Sequence, residues 1–385
     1  MAKLGEVCDI LNGYAFKSNQ YTTSGVRIIR ISNVQKGYIE DKSPVYYPCD
    51  DENVKKYELK QNDLLISLTG NVGRTALLEE KFLPAALNQR VSCVRLKEPD
   101  KVLKTYLFHL LNSDYFEQQC MKAAEGVAQK NLSPKWLFEY KIPIYSIERQ
   151  KEISNTLDKI DLLIILRKQQ LAKLNELVKA RFVEMFGTFP ANPFRWDTGK
   201  IQDVVSDVRY GSSRPAVEGG KYPYLRMNNI TYSGELDLRD TKRIDIPDSE
   251  LDKCTVRRGD VLFNRTNSKE LVGKTCVYNR DELMVLAGFV IRVRVNERIR
   301  PEVLSAFLNM DFSKRMLIGM CKTAIGQANI NAKELQNIDL YIPPIELQDQ
   351  FVALKNKIDQ QKQTVQQSLE KLELMKKALM QEYFG

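Results

Sequence analysis

The second half of this chain restates the first. Phe186-Gly187 and Phe384-Gly385 stand 198 residues apart (384 − 186), and the same offset pairs Asn131 with Asn329, Leu137 with Leu335, Gln150 with Gln348 and Lys159-Ile160-Asp161 with Lys357-Ile358-Asp359. It also pairs Lys173-Leu174 with Lys371-Leu372, and no gap interrupts the match. Upstream the offset drifts: Arg30 pairs with Arg226 and Asn33 with Asn229 at 196, Asp63 with Asp260 at 197 and Gly73 with Gly273 at 200. Leu111-Asn112-x-Asp114 then matches Leu308-Asn309-x-Asp311 at 197. Insertions thus fall inside the upstream part of each copy, where loops absorb them. The downstream part keeps its length. A chain of 385 residues built this way is two copies of one unit, not one core.

The constant part reads as helix. In 148–186, Ile160, Ile164, Arg167, Leu171, Leu174, Val178, Arg181 and Met185 alternate by four and three, a heptad seam interrupted by arginines. In 346–384 the seam is Ile358, Lys362, Val365, Leu369, Leu372, Lys376, Leu379 and Tyr383. Pro343-Pro344 suits a helix start, Glu148 and Glu346 complement the dipole of a first turn, and Gly187 and Gly385 suit C-terminal caps. Some 39 residues at about 1.5 Å each predict rods of about 58 Å. Each seam is too narrow to bury alone, so the rods are expected to pack on each other. The first leaves the first module and the second returns towards it, which makes them antiparallel.

The variable parts, 4–145 and 200–343, mix short strands with turns and a few helices. Strands are predicted at 26–31, 63–68, 261–263 and 289–293, and helices at 102–122 and 301–320. The segment 187–199, with Pro190 and Pro193, links the halves.

Composition limits the function classes. Charged residues make up 28% and hydrophobic ones 43%, as in a globular protein. No apolar run approaches the length of a membrane span, and the first residues do not form a leader, so a cytoplasmic protein without a membrane partner is expected. The seven cysteines are scattered without a Cys-x-x-Cys pair, which indicates neither a disulfide framework nor a zinc site. The formal charge of +9 favours a polyanionic partner.

A search for catalytic chemistry finds little. His109 is the sole histidine and lies among Leu107, Phe108, Leu110 and Leu111, with Ala306 as its repeat partner, so it reads as core. Pro247-Asp248 lacks the acidic-x-lysine triplet of a nuclease, and Asn192-Pro193-Phe194 lacks the second proline of an adenine-methyltransferase loop. Thr69-Gly70-Asn71-Val72-Gly73 has neither the length nor the lysine of a P-loop. Asp63 and Asp260, following Asn62 and Gly259, suggest turn chemistry before a strand. No catalytic residue and no metal site are predicted.

Several ordered motifs carry a family resemblance. Asn12-Gly13-Tyr14-Ala15-Phe16-Lys17-Ser18 followed by Arg30-Ile31-Ser32-Asn33-Val34 resembles the start of one type of recognition domain in the specificity subunits of type I restriction-modification enzymes. Arg226-Met227-Asn228-Asn229-Ile230, Gly259-Asp260-Val261-Leu262-Phe263 and Asn264-Arg265-Thr266-Asn267-Ser268 through Val272-Gly273-Lys274 resemble a second type. The family's Ile-Pro-Leu-Pro-Pro-Leu-x-Glu-Gln junction is matched by Ile142 to Gln150 and again by Leu340 to Gln348. Tyr145-Ser146 departs from the first Pro-Pro pair, Tyr341 replaces a proline, and Arg149 and Leu347 stand where the family has glutamate.

The resemblance spans essentially the whole chain and implies an α+β protein. Two similar target-recognition domains, 1–145 and 188–343 (the latter with its linker), are each followed by a spacer helix, 146–187 and 344–385, and the helices pack as an antiparallel coiled coil. It implies a non-catalytic subunit that binds double-stranded DNA, two methyltransferase subunits and restriction/translocase subunits. S-adenosylmethionine, ATP and magnesium serve those partners, and this chain is expected to bind no cofactor.

Arginine or lysine reads guanine, and asparagine or glutamine reads adenine. On that basis the first module offers Lys17, Arg30, Asn33, Asn71, Arg74, Gln89, Arg90, Gln129 and Lys130. The second offers Ser213, Arg214, Arg226, Asn228, Asn229, Asn264, Arg265, Asn267, Lys269, Gln327 and Asn329. Tyr14 and Tyr210 are candidates for packing on the sugar-phosphate backbone. Residues shared by both copies, such as Arg30 and Arg226, fit the scaffold or phosphates better than base reading. Positions that differ, above all Asn264 to Lys269 against Leu68 to Asn71, fit discrimination. A protein-binding scaffold with no DNA contact stays open as the alternative, as does a stand-alone nuclease or methyltransferase.

Overall fold

In a computed structural model of the chain, residues 1–126, 130–324 and 327–385 are described. They form two compact units: residues 1–167 with 367–385, and residues 168–366. Each unit therefore holds one module together with parts of both long helices.

In the first unit a four-stranded antiparallel sheet has the order Cys8–Asn12, Val91–Leu96, Leu64–Ser67, Thr75–Leu77. A second sheet runs Tyr46–Tyr47, Val26–Ile29, Ala85–Leu87, Glu58–Leu59, with Val26–Ile29 parallel to Ala85–Leu87. Residues 64–67 are buried throughout, which explains an unbroken apolar run in place of alternation. The helices Lys104–Leu111 and Asp114–Ala123 cover the first sheet, and the predicted single helix is broken at Asn112-Ser113, where Ser113 caps the second piece by accepting the Phe116 N–H at 3.1 Å.

The second unit repeats this topology. One sheet is ordered Val205–Tyr210, Val290–Val295, Val261–Asn264, Thr275–Val277; the other is Lys242–Ile244, Tyr222–Leu225, Met284–Leu286, Thr255–Val256. Tyr222–Leu225 and Met284–Leu286 are again the parallel pair. An additional three-stranded sheet, Thr266–Asn267, Gln327–Asn329 and Lys322–Ala324, belongs to this unit.

Matched aspartates brace both copies. Asp63 and Asp260 are buried; each accepts a backbone N–H three residues upstream, at 2.8 and 2.9 Å, across a turn whose left-handed position is held by Asn62 or Gly259. Arg95 and Arg294 clasp these carboxylates, each Nε lying 2.8 Å from an oxygen.

The long helices run Ile147–Phe186 and Ile345–Phe384, 40 residues each. Ser146 Oγ accepts the Arg149 N–H at 3.2 Å, so the departure from Pro-Pro supplies a cap. Gly187 follows with φ +85°, the left-handed conformation of a helix terminator. Within the first unit the helix segments run antiparallel: Arg149 lies over the Tyr383 ring, Asp161 pairs with Lys376, and Arg167 Nε donates to Ser368 Oγ at 3.2 Å. There the buried apolar positions are Ile153, Leu157, Ile160, Ile164, Leu369 and Phe384. Within the second unit Phe182 and Phe186 pack edge-on against Phe351, with ring centroids 5.6 and 5.3 Å away. Arg181, predicted in the seam, is exposed, and Phe182 takes its place. A 3.6-residue helix drifts by about 20° per heptad against a strict seven-residue repeat, and the larger aromatic surface claims the core.

Candidate nucleic-acid interface

One end of each main sheet gathers polar and aromatic side chains on short turns. In the first unit, strand Cys8–Asn12 ends there, and the turn Asn88–Val91, closed by the Val91 N–H to Asn88 O at 3.0 Å, starts the neighbouring strand. Main-chain hydrogen bonds from Leu68 N–H to Arg90 O (3.0 Å), Gln89 N–H to Tyr14 O (2.9 Å) and Gly70 N–H to Lys130 O (2.9 Å) lock four segments together. This rim unites Tyr14, Asn71, Gln89, Arg90 and Lys130. Asn71, Gln89 and Arg90 are exposed and Tyr14 and Lys130 half-buried; Lys17 is exposed three residues beyond Tyr14. The Tyr14 ring stacks on Tyr57, centroids 5.5 Å apart. Gln129 lies outside the described residues.

The second unit builds the same rim from other residues. Gly288 N–H donates to Ser212 O at 2.7 Å, Arg265 N–H to Phe289 O at 3.0 Å, and Ile330 N–H to Arg265 O at 2.9 Å. The Arg265 guanidinium lies 4.8 Å from the centroid of the Tyr210 ring, whose hydroxyl accepts the Ala332 N–H at 2.8 Å. Stacking of this kind holds a planar cation in one orientation. Ser213 and Lys269 are exposed and Asn267 is half-buried. Gln327 contributes backbone to the three-stranded sheet; its side chain lies outside the described residues.

Two glycines fix the correspondence between the rims. A Cβ on Gly13 would sit 2.2 Å from Asn88 O, and one on Gly211 2.5 Å from Ala287 O. Asn12 is therefore the counterpart of Tyr210, Leu68 of Arg265, and Arg90 of Phe289, while Tyr14 corresponds to Ser212. Asn12 and Phe289, both exposed, escaped the sequence reading. A turn ending in a strand was the available signal for Phe289, but an isolated Phe before an apolar run reads as part of that strand.

Other sequence candidates are engaged within the fold. Asn33 and Asn229 are buried: each Oδ1 accepts the N–H of Arg30 or Arg226 (2.8 and 2.9 Å), and each Nδ2 donates to the carbonyl of Glu40 or Asp237 (2.9 and 2.8 Å). Arg30 donates to Ser43 O at 2.7 Å and Arg226 to Asp240 Oδ2 at 3.0 Å. Arg74 donates to Gln35 Oε1 at 2.6 Å, and Arg214 pairs with Glu250 at 2.7 Å. That pairing holds the Glu250 carboxyl below its ordinary range. Asn264 is fully buried and Asn329 Oδ1 accepts from Thr266 Oγ1 at 3.2 Å, as Asn131 Oδ1 does from Thr69 at 2.9 Å. Asn228 is exposed beside the Arg226 turn.

His109 is buried, with Nε2 2.7 Å from Asp158 Oδ1 on the long helix. Among the described residues no group of histidine, cysteine or carboxylate side chains is arranged to hold a metal ion, and no helix is long and apolar enough to cross a membrane.

A duplicated α+β module with one scaffold and two different rims, each copy followed by a 40-residue helix, defines a specificity subunit. The chain belongs to the type I restriction modification DNA specificity domain family, whose profile matches residues 1–176 and 193–374. Among curated relatives, the EcoKI type I restriction enzyme specificity subunit of Escherichia coli (strain K12) is 22% identical over 378 residues, covering 91% of this chain and 80% of that one. The MjaVIII specificity subunit of Methanocaldococcus jannaschii is 32% identical over 186 residues, 46% of this chain and 43% of that one. The fold is that of the type I restriction-modification S subunit from M. genitalium, with a TM-score of 0.58 at 15% identity, covering 100% of this chain and 95% of the other. A chain from a type I restriction-modification system solved for its assembly and conformational transition gives a TM-score of 0.59 at 19% identity, covering 100% and 96%.

Proposed function

We propose that this chain reads an asymmetric, bipartite target in double-stranded DNA, one half-site per module. The paired helices set the unread spacer between the halves. Two methyltransferase subunits and the restriction/translocase subunits are held by this chain and carry the chemistry that uses S-adenosylmethionine, ATP and magnesium. The chain itself binds and positions.

One observation carries the reading: the same rim is built twice with different side chains, Asn12, Leu68 and Arg90 in one copy and Tyr210, Arg265 and Phe289 in the other. Scaffold shared and rim changed is what two readers of different sequences require. The net charge of +9 supports a phosphate-lined partner. Of the candidates from sequence, Tyr14, Lys17, Asn71, Gln89, Arg90 and Lys130 compose the first reading surface. Tyr210, Ser213, Arg265, Asn267 and Lys269 compose the second.

Methylome sequencing of cells with and without this chain tests the proposal. A two-part adenine-methylated motif should vanish with the chain. Arg265→Ala should then cost about 1–3 kcal/mol at one half-site, roughly a 5- to 150-fold loss of affinity, with the other half-site read as before. Binding by the assembled complex should also weaken with salt by a log-log slope of about 0.9 per neutralised phosphate. A flat salt response without sequence preference would instead favour a protein-binding scaffold.

A further inference from the structure

We infer that Phe289 determines specificity in the second module, through an apolar contact with the 5-methyl group of a thymine in that module's half-site. This rests on the DNA-reading function proposed above.

Phe289 is the third residue of the turn Ala287–Val290, closed by the Val290 N–H to Ala287 O at 2.9 Å. Its side chain is 54% exposed, although the turn itself is rigid. Phe289 O accepts the Arg265 N–H, Gly288 N–H donates to Ser212 O, and Val290 is fully buried in the sheet. The ring is thus held out from a fixed platform, on the segment that hydrogen-bonds Arg265. Arg90 occupies the same place in the first module, third in the turn Asn88–Val91 and with its carbonyl accepting the Leu68 N–H. At the same hydrogen-bonded position one copy presents a cation and the other a phenyl ring.

That exchange changes what the position can read. A phenyl ring donates no hydrogen bond, so neither phosphate nor the guanine edge rewards it. The major groove offers one apolar feature, the thymine methyl. A water-exposed phenyl ring beside a stacked arginine gains by burying its surface there.

Duplexes in which each thymine of the second half-site is replaced singly by deoxyuridine lose only that methyl. The assembled complex carrying the unaltered chain should bind one of these about fourfold more weakly, the worth of one buried methyl group. With Phe289→Ala the penalty at that position should disappear, while preferences at the remaining positions and throughout the first half-site persist, which also reports that the variant is folded. If no position shows a penalty, or the penalty survives in Phe289→Ala, the contact is refuted. An equal loss on thymine and deoxyuridine duplexes would mean that the ring wedges between bases instead and would overturn it too. Absence of any sequence preference in the unaltered complex would sink the DNA-reading function itself, a separate result.

Discussion

Methionine in place of Gln348 should destabilise the second unit by about 3–5 kcal/mol, although it matches glutamine in length. Gln348 is fully buried at the start of its helix. Its Oε1 accepts the Arg300 N–H at 2.8 Å, and its Nε2 donates to Arg298 O at 3.0 Å and Pro343 O at 2.8 Å. One side chain thereby satisfies three main-chain groups, with the bond to Pro343 O fully buried. Methionine offers none of the three a partner, at about 1–3 kcal/mol for each group that stays buried. Gln150→Met should do the same to the first unit, where Gln150 serves Leu103 N–H (2.8 Å), Lys101 O (2.8 Å) and Tyr145 O (2.9 Å). Urea unfolding gives the size of the loss, and amide exchange gives its place: the Arg300 amide should exchange faster in Gln348→Met and unchanged in Gln150→Met. A loss within about 0.5 kcal/mol, the scatter of ordinary surface substitutions, would show that the clamp is dispensable.

Those glutamines mark how far the sequence was legible. Their pairing at a fixed offset exposed the repeat and, with it, the helix limits, which the structure moves by one residue at the start. Their role was hidden, because their partners at 101, 103, 298 and 300 are main-chain groups with no sequence signature. The parallel pairing of Val26–Ile29 with Ala85–Leu87 was hidden for the same reason: short apolar runs state that they are buried, not beside which strand. At the rims, residue type was legible, but direction was not. Asn33 and Asn71 look alike in sequence, yet one amide closes a turn and the other faces solvent. Asn264 fails as a surface candidate because it ends a strand whose every residue is buried, while the next residue, Arg265, turns out onto Tyr210.

A second large loss is expected where the two sheets differ most. Arg292, 1% exposed, occupies the strand position that Cys93 fills in the first unit. Its guanidinium donates to Asp207 Oδ2 at 2.7 Å and to Thr255 O, while its Nε is buried without a hydrogen-bond partner. Asp207→Ala removes the countercharge and leaves a cation in the sheet, for which about 3–5 kcal/mol is the expected cost. The first unit indicates the remedy, since an uncharged side chain of modest size serves there. Arg292→Leu combined with Asp207→Ala should recover most of the loss, so the two changes should be strongly non-additive in a double-mutant cycle. Acid gives an independent readout. Burial acts to raise the Asp207 pKa, but hydrogen bonds from Arg292 and Arg209, reinforced by their charges, outweigh it and hold the group below the ordinary carboxylate value. A depressed carboxyl stabilises the fold above its unfolded pKa of about 3.9 and loses that contribution as pH falls through the lower folded value. The unaltered chain should therefore lose stability more steeply than the double variant below about pH 4, and parallel acid profiles would refute the coupling.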